Sequence, residues 1–339
     1  MINVAMIGFG LSGRYLQAPY LVLNPNFKLK TVVTNSSKTP QELYDFVEVC
    51  HNFEEVLADA SIDLVCVNTP SASHFEYAQK ALLAGKHVLV EKPMAATAEQ
   101  VQILIDLAKK QQKVLSVYQN RRFDSDFRTL QKIVQGGLLG ELLSFEASYH
   151  RFKPTLNPKK WKEVPAPANG ILFDLGAHLI DQVISLFGTP EKFSGEVFTQ
   201  RENSLVDDAF DLSLDYGKLK VRLKSSLLVR EDVPRYILHG TKGSFIKYGI
   251  DVQEDSLKAG ILPNDPTFGI EQENIAGTLN TELNGLHFRG KITSEVGNYG
   301  LLFENLYDAI TGTKPLIVKP EEVLEQIKII EKITLSCEK

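Results

Sequence analysis

An apolar segment that runs into three spaced glycines constrains the fold of this chain more than any other feature. Residues Ile2 to Ile7 are apolar and partly β-branched, which predicts a buried strand. Gly8, Gly10 and Gly13 follow with the spacing G-x-G-x-x-G. In a dinucleotide-binding loop these glycines permit a tight turn, let the backbone approach a pyrophosphate, and allow the next helix to pack on the strand. The motif therefore predicts such a loop, with a plain glycine-rich turn as the alternative.

The end of the second predicted strand, residues 27–34, indicates which dinucleotide is bound. An NAD-selective site places Asp or Glu there to accept a hydrogen bond from the ribose 2′-hydroxyl. This chain instead has a polar segment without a carboxylate: Thr34, Asn35, Ser36, Ser37 and Lys38. Hydroxyls and a lysine suit a 2′-phosphate, so we expect NADP, with NAD as a second cofactor and an ordinary polar loop as the alternative.

Strands alternate with helices in the first third of the chain. Three further apolar segments predict strands: 62–67, 86–90 and 113–118. Thr97 and Gln100 have the spacing of a capping box at the start of one helix. The segment after Gly13 is expected to be helical as far as Pro19. Alternation of this kind predicts a parallel sheet with right-handed crossovers, hence a doubly wound Rossmann domain at residues 1–119.

The pattern changes in the remainder of the chain. Apolar and polar residues alternate at 145–149 and 219–224, which predicts strands with one wet face. A turn signal at 240–243 between two further strands predicts a hairpin. Helices are expected at 173–187 and 320–336. The fold class is therefore α/β, with a C-terminal α+β domain at 120–339 that carries a large, mostly antiparallel open sheet.

Composition excludes several functions. The net charge is −5 and no Lys/Arg-rich run of the kind that binds phosphate backbones is present, which disfavours a nucleic-acid partner or a DNA-binding repressor. No apolar stretch approaches the length of a membrane span, so no membrane partner is expected. Three scattered cysteines without a CxxC pair indicate a cytoplasmic protein rather than a disulfide framework. No His or Cys spacing predicts a metal, and Asp207, Asp208 and Asp211 suggest a solvated strand end.

Further motifs, in order along essentially the whole chain, resemble the Gfo/Idh/MocA oxidoreductase family. They are the glycine motif, Asn68-Thr69-Pro70 with His74, Gly85-Lys86-His87-Val88 with Glu91-Lys92-Pro93, and Asp174-Leu-Gly-Ala-His178. Segments 116–123, 200–203, 215–218 and 245–255 are similar to the branch with NADP-dependent scyllo-inositol dehydrogenases. The resemblance implies oxidation of a cyclic polyol to a ketone, or the reverse, and a cis peptide after Lys92.

The glycine loop and the resemblance together give a set of expected cofactor-binding residues: Gly8, Phe9, Gly10, Leu11, Ser12, Gly13, Thr34, Asn35, Ser36, Lys38, Asn68, Thr69, Pro70, His74, Glu91, Lys92 and Asn120. For His74, which begins a predicted helix, a capping role is an equal alternative.

Three residues are candidates for the chemistry. Lys92 follows a strand end, where ligands bind in open α/β sheets, and is expected to stabilise an alkoxide or relay a proton. Asp174 and His178 are spaced to share one helix face. We expect His178 to be the acid/base and Asp174 to hold substrate hydroxyls or orient the imidazole. Lys92 and His178 can exchange roles. The alternative without a catalytic function is a surface lysine, together with an Asp at a helix N-terminus and a surface His.

Substrate contacts are expected from Arg151, Trp161 and Tyr299, with residues 153–170 forming a loop over the site. Other substrates remain open: an aldose, a dihydrodiol or a biliverdin-type compound. A non-catalytic NADP-binding regulator is the alternative to an enzyme, although such proteins tend to lose the catalytic residues that this chain keeps. The open sheet favours a homodimer or homotetramer, because a second subunit would bury its exposed face.

Overall fold

The structure, a computed structural model, describes residues 1–35 and 40–337. Its strands are β1 (Ile2–Ile7), β2 (Phe27–Val33), β3 (Glu48–Cys50), β4 (Leu64–Val67), β5 (His87–Val90), β6 (Leu115–Val117), β7 (Leu142–Ser148), β8 (Lys192–Phe198), β9 (Ala209–Tyr216), β10 (Leu219–Ser226), β11 (Tyr236–Gly240), β12 (Gly243–Lys247), β13 (Gly277–Leu283) and β14 (Leu286–Ile292). Its helices are α1 (Ala18–Leu23), α2 (Phe53–Ala58), α3 (His74–Leu83), α4 (Ala98–Gln111), α5 (Ser125–Gln135), α6 (Ala177–Phe187), α7 (Gln253–Lys258), α8 (Gly300–Ile310) and α9 (Pro320–Cys337).

A first unit contains a six-stranded sheet in the order β3-β2-β1-β4-β5-β6, with every neighbouring pair parallel. Strands β4 and β5 are buried almost along their whole length, because helices cover both faces of a doubly wound sheet. This order confirms the predicted Rossmann fold, in which the chain leaves β1 and reverses direction across the sheet at β4.

The first unit takes in more of the chain than residues 1–119. It comprises Met1–Asn120, Gln253–Phe268 and Asn298–Leu324, whereas the sequence analysis assigned the later segments to the second domain. The physical reason is an aromatic cluster. Phe303 of α8 packs at ring-centroid distances of 5.8 Å from both Tyr20 and Tyr118, and Tyr20 also donates a hydrogen bond to Gln253 of α7. Two helices distant in sequence, the largely apolar α8 and the polar α7, thereby pack with the Rossmann unit.

A second unit comprises Arg121–Val252, Gly269–Gly297 and Glu325–Lys339. Its eight-stranded sheet has the order β14-β13-β12-β11-β7-β10-β9-β8, and only β7 and β10 pair in parallel. Along β10, Val221 and Leu223 are buried while Lys220 and Arg222 are exposed, which confirms the predicted alternation. The predicted hairpin is β11–β12, in which Leu238 is opposite Phe245. The mostly antiparallel sheet and its helices confirm the predicted α+β domain.

Two helices of the structure begin with a π-helical turn. Ser12–Gln17 precedes α1 and Leu172–Gly176 precedes α6. The helix expected to end at Pro19 therefore continues to Leu23, because Pro19 lies in the first turn of α1, where a missing N–H removes no bond. Such π turns often occur at functional sites, and these two contain the glycine motif's Ser12 and Asp174.

Among the described residues, none of the helices combines the length and apolar character that crossing a membrane requires.

Candidate active site

The glycine loop at the end of β1 is built to leave backbone exposed. Gly8 has φ +91°, and a Cβ there would lie 2.6 Å from the carbonyl oxygen of Asn68. A Cβ on Gly13 would lie 2.6 Å from the oxygen of Gly8, whereas one on Gly10 meets no heavy atom of the described residues within 4 Å. The first and third glycines are therefore required by packing. The second keeps an open approach to the backbone, which fits a pyrophosphate beside the loop.

A polar network connects this loop to the turn that contains Lys92. The carboxylate of Glu91 accepts hydrogen bonds from the Ser12 hydroxyl, from the Gln17 amide at 3.2 Å and from the backbone N–H of Lys92 at 3.0 Å. The Gln17 side chain in turn accepts from the Asn68 amide at 3.2 Å. The remaining oxygen of Asn68, Oδ1, is buried without a hydrogen-bond partner among the described residues. An acceptor beside the glycine loop is therefore left for a ligand donor.

His74 braces two turns of the first unit. Its ring is buried, and its Nδ1 and Nε2 lie 2.7 Å and 2.8 Å from the carbonyl oxygens of Pro93 and Thr69. The ring makes no cap to α3, so the alternative of a helix-capping role is wrong. The ring nitrogen that carries the proton donates to one of these carbonyls and the other nitrogen lies against the second, so His74 connects the Asn68–Pro70 turn with the Lys92–Pro93 turn. The Lys92–Pro93 peptide bond is cis, as the resemblance led us to expect.

The other cofactor candidates of the first unit lie around the same strand ends. Phe9 is buried and Leu11 exposed, and Pro70 is exposed beside the half-buried Thr69. Asn120 is buried at the start of a 3₁₀ turn after β6.

The segment expected to meet the ribose is described only in part. Thr34 is buried, and its carbonyl lies 2.8 Å from Nδ1 of His51, while Asn35 is exposed. Ser36 and Lys38 lie outside the described residues.

Arg14 is a cation beside the glycine loop that sequence reasoning missed. It follows Gly13, its guanidinium lies 5.0 Å from the ring centroid of Tyr15, and its Nε is buried without a hydrogen-bond partner among the described residues. Burial raises the pKa of Tyr44, and the positive charge of Arg14 partly opposes that rise. Arg14 is therefore close enough to Tyr44 for its charge to act on that phenol. The signal in the sequence is a cation directly after the third glycine.

In the second unit, the predicted catalytic pair spans the junction between a π turn and α6. Asp174 lies in the π turn with 41% of its side chain exposed, whereas His178 is 6% exposed in the first turn of α6. Further along α6, the next polar residues, Asp181 and Gln182, are buried as well.

These buried residues fix the helix that carries His178. Asp181 accepts two hydrogen bonds from Arg122, at 2.6 Å and 2.7 Å, in a fully buried ion pair. Gln182 donates to the carbonyl of Arg121 at 2.9 Å and accepts from the Tyr236 hydroxyl at 2.9 Å. A bidentate Arg–carboxylate pair fixes both the rotation of a helix about its axis and its position along that axis, so His178 lies on a rigid support.

The three predicted substrate residues differ in their exposure and in their neighbours. Arg151 lies 5.1 Å from the ring centroid of Tyr149, and Trp161 is 49% exposed in a 3₁₀ turn. Lys162, next to that tryptophan, lies 3.5 Å from the Asp174 carboxylate. Tyr299 is fully buried in the aromatic core of the first unit, with its ring 6.1 Å from that of Tyr20. Because the side chain of Tyr299 is buried, it offers no exposed group for the expected substrate contact.

Two members of the acidic cluster, Asp207 and Asp208 between β8 and β9, are not the solvated strand end that the sequence suggested. Asp208 is buried and pairs with Arg201, and Asp207 accepts a hydrogen bond from the backbone N–H of Leu172 at 2.9 Å. Burial raises the pKa of Asp207. Within residues 1–35 and 40–337, no group of three His, Cys, Asp or Glu side chains is arranged to hold a metal ion.

The Rossmann sheet, the open glycine loop and its polar network define a dinucleotide-binding protein. Residues 2–119 match the family described as "Oxidoreductase family, NAD-binding Rossmann fold", and residues 131–339 match its C-terminal alpha/beta domain. The chain belongs to the Gfo/Idh/MocA oxidoreductase family, and it is an NAD(P)-binding oxidoreductase.

Relatives of nearly equal length support this assignment. The chain is 39% identical over 330 residues to the scyllo-inositol 2-dehydrogenase (NADP(+)) IolW of Bacillus subtilis (strain 168), covering 97% of this chain and 92% of IolW. It is 40% identical to the uncharacterized oxidoreductase YhhX of Escherichia coli (strain K12), covering 98% and 96%. The solved structure of yvaA from Bacillus subtilis has a TM-score of 0.94 at 38% identity, covering 100% of this chain and 98% of that one.

Proposed function

We propose that this protein is an NADP-dependent dehydrogenase that oxidises a secondary alcohol of a cyclic polyol or sugar to a ketone, with scyllo-inositol as the first candidate substrate. The observation that carries the proposal is the 39% identity, over 97% of the chain, to a relative named as an NADP-dependent scyllo-inositol 2-dehydrogenase. The chain also keeps the lysine, aspartate and histidine expected of an active enzyme. Retention of all three favours catalysis over a purely regulatory role.

The reaction requires the carbinol carbon to lose a hydride and the hydroxyl to lose a proton. The nicotinamide, when bound, supplies the hydride acceptor. His178 would take the hydroxyl proton, because imidazole exchanges protons near neutral pH and this ring is held on a rigid helix. Lys92 would stabilise the developing alkoxide, and Asp174 would hold neighbouring hydroxyls. The roles of Lys92 and His178 are interchangeable in this scheme.

The cofactor residues assigned above would hold the dinucleotide, with the backbone around Gly10 facing the pyrophosphate and Asn68 offering its buried oxygen. The preference for NADP rests on the polar segment that ends in Lys38 and on Arg14, a cation directly after the third glycine. Both are suited to a 2′-phosphate, whereas a carboxylate would repel it.

Initial rates of nicotinamide reduction test the proposal. NADP and NAD are compared with scyllo-inositol, myo-inositol and several aldoses. We expect turnover of scyllo-inositol with NADP, and a loss in kcat/KM of about 10²–10⁴-fold in Lys92→Ala and in His178→Ala. Lys110→Ala and His239→Ala, which alter exposed residues of α4 and β11, serve as matched controls. Unchanged rates in His178→Ala would refute its assignment.

Cofactor preference has its own readout. Binding of NADPH and NADH is measured by their fluorescence, and Arg14→Ala and Lys38→Ala are expected to weaken NADPH binding far more than NADH binding. Equal weakening of both cofactors would refute the assignment of a 2′-phosphate contact to these residues.

A sugar substrate is the second candidate. The chain is 30% identical over 192 residues, 56% of its length, to the D-glucoside 3-dehydrogenase of Escherichia coli (strain K12). Turnover of glucosides or aldoses without turnover of inositols would favour this alternative, or a dihydrodiol substrate tested in the same way. Tight NADP binding without turnover of any alcohol would favour a regulator.

We also propose a cytoplasmic homodimer or homotetramer. The three cysteines are free thiols, as is usual in a reducing compartment, and the eight-stranded sheet has an outer face on which a second subunit could pack. Sedimentation of the purified protein tests the subunit number.

A further inference from the structure

The segment that carries Trp161 is anchored by a buried arginine. Arg201, with 4% of its side chain exposed, donates to both oxygens of Glu163, at 3.2 Å and 2.9 Å, in a bidentate pair. Its Nε donates to Asp208 at 2.9 Å, and it also donates to the carbonyl of Thr155 at 3.2 Å. One guanidinium thus connects residues 155–163 to the connection between β8 and β9.

Further bonds complete the anchor. Glu163 accepts the backbone N–H of Asn157 at 2.7 Å, and Asp208 accepts the backbone N–H groups of Gln200 and Arg201 at 2.7 Å and 3.0 Å. The amide of Asn169 donates to the carbonyls of Trp161 and Val164, at 2.9 Å and 2.8 Å. Desolvating an arginine and two carboxylates is costly unless the geometry is tight, so a surface loop held in this way has one defined conformation.

The anchored segment presents an aromatic face and a cation beside the candidate catalytic aspartate. Trp161 is half exposed, and Nζ of Lys162 lies 5.5 Å from the centroid of its ring, within cation–π range. The same Nζ is 3.5 Å from the Asp174 carboxylate. An apolar ring, an ammonium and a carboxylate side by side match the surface of a cyclic polyol, which has a C–H face and a rim of hydroxyls.

We propose that residues 155–163 form a fixed substrate-binding arm, in which Trp161 packs on the ring face of the polyol and Lys162 binds a hydroxyl that Asp174 also contacts. Arg201 is the positioning residue of this arm and acts through Glu163. This inference rests on the proposed function for the class of substrate, while the anchoring by Arg201 does not depend on it.

Trp161 is the single tryptophan of the chain, so intrinsic fluorescence reports on the arm in the intact protein. Tryptophan emission is recorded during titration with scyllo-inositol and with glucose, at fixed saturating NADP. We expect saturable quenching at concentrations that match KM. Turnover of a polyol without any change in emission or in acrylamide quenching of Trp161 would overturn the placement of Trp161 in the site.

Lys162 is tested by Lys162→Met against Lys160→Met, which removes an exposed lysine from the same 3₁₀ turn. Loss of one charge-assisted hydrogen bond is expected to raise the KM for the polyol about tenfold, with kcat changed less than about twofold. Lys160→Met is expected to match the unmodified protein. Equal KM values for the two variants would overturn the role of Lys162.

The anchor is tested without substrate. Arg201→Lys keeps the charge but cannot bind Glu163 and Asp208 with a planar fork, and Glu163→Gln is the second variant if Arg201→Lys does not fold. Acrylamide quenching of Trp161 is expected to rise about twofold in either, and the KM about threefold, with kcat nearly unchanged, because a loosened arm is more accessible and less preorganised. Arg222→Lys, in an exposed pair with Asp211, is the control.

Unaltered quenching in both anchor variants would overturn the positioning role of Arg201. If no polyol is turned over by the unmodified protein, the proposed substrate class fails, and quenching by a different alcohol or by none then decides whether the arm binds substrate at all.

Discussion

The two units of the molecule build their candidate functional residues in different ways. In the first unit, the glycine loop presents backbone atoms to a ligand. Its shape requires glycine at positions 8 and 13, because a Cβ atom at either position would lie 2.6 Å from a backbone oxygen. In the second unit, buried charges hold the candidate residues, as Arg122 and Asp181 do beneath His178. A backbone site fails when atoms are added, whereas a site built on ion pairs fails when charge is removed.

The buried pair of the second unit should show the largest effect. Asp181→Asn keeps the shape of the side chain but leaves Arg122 without its carboxylate in the interior. Removal of one partner from such a pair is expected to lower the free energy of unfolding by about 3–5 kcal/mol. Urea denaturation at neutral pH measures it.

Asp215→Asn is the matched control, because Asp215 pairs with Lys220 on the exposed face of the sheet, at 2.7 Å. Solvent screens that pair, so the control should unfold close to the urea concentration of the unmodified protein. Similar losses in the two variants would remove the contrast between buried and exposed charge.

The glycine loop should respond to added atoms at two of its three positions. Gly8→Ala combines a positive φ with a contact against the Asn68 carbonyl, and is expected to cost about 3 kcal/mol of folding stability. Gly10→Ala has open space around the new methyl group, so the fold should be kept while NADPH binding weakens at least about tenfold. Denaturation and NADPH fluorescence are measured on both variants. Loss of stability in Gly10→Ala would contradict the open approach at that position.

The same contrast explains how much the sequence could predict. The glycine loop is contiguous with the apolar segment before it, so the two together indicated a strand followed by a nucleotide-binding turn, with a plain glycine-rich turn as the alternative. The parallel character of one sheet and the mostly antiparallel character of the other also followed from the sequence, because apolar periodicity is a local property. The strand orders did not. Arg201 and Glu163 are far apart in sequence, and nothing local to either residue indicates that they pair. Tyr299 was expected to contact the substrate, whereas the aromatic cluster that buries it forms from three distant segments.

Asp126 in α5 is a further buried carboxyl of the second unit, and its charge should make the stability of the fold depend on pH. Burial raises the pKa of Asp126 to about 6; Asp251 and Glu271 add to the rise, while Arg235 and Lys247 oppose it. A carboxyl with a raised pKa in the folded protein stabilises the fold below its unfolded pKa and loses that contribution as pH rises through about 6. The difference in unfolding free energy between the unmodified protein and Asp126→Asn should therefore fall, on the order of 2 kcal/mol, between pH 4 and pH 6.5.

Asp308→Asn should change the unfolding free energy with the opposite dependence on pH. The hydrogen bond from Lys314 lowers the pKa of Asp308, so its contribution is present above the unfolded pKa and lost as pH falls. Urea titrations at several pH values should show the two differences moving in opposite directions. A flat difference for Asp126→Asn would mean that its carboxyl titrates normally in the folded protein.

The smallest effect is expected at the start of α4, in the first unit but away from the glycine loop. Thr97 accepts the backbone N–H of Gln100 at 3.2 Å, which confirms the predicted cap, while the Gln100 side chain accepts from Ala96 at 3.1 Å, one residue before the usual partner. Thr97→Ala should cost about 1 kcal/mol of stability and leave NADPH affinity unchanged. Thr97→Ser, which retains the hydroxyl, should restore most of it. A drop in NADPH affinity in Thr97→Ala would mean that the cap and the cofactor site are energetically coupled, so that the first unit's site depends on side chains beyond its loop.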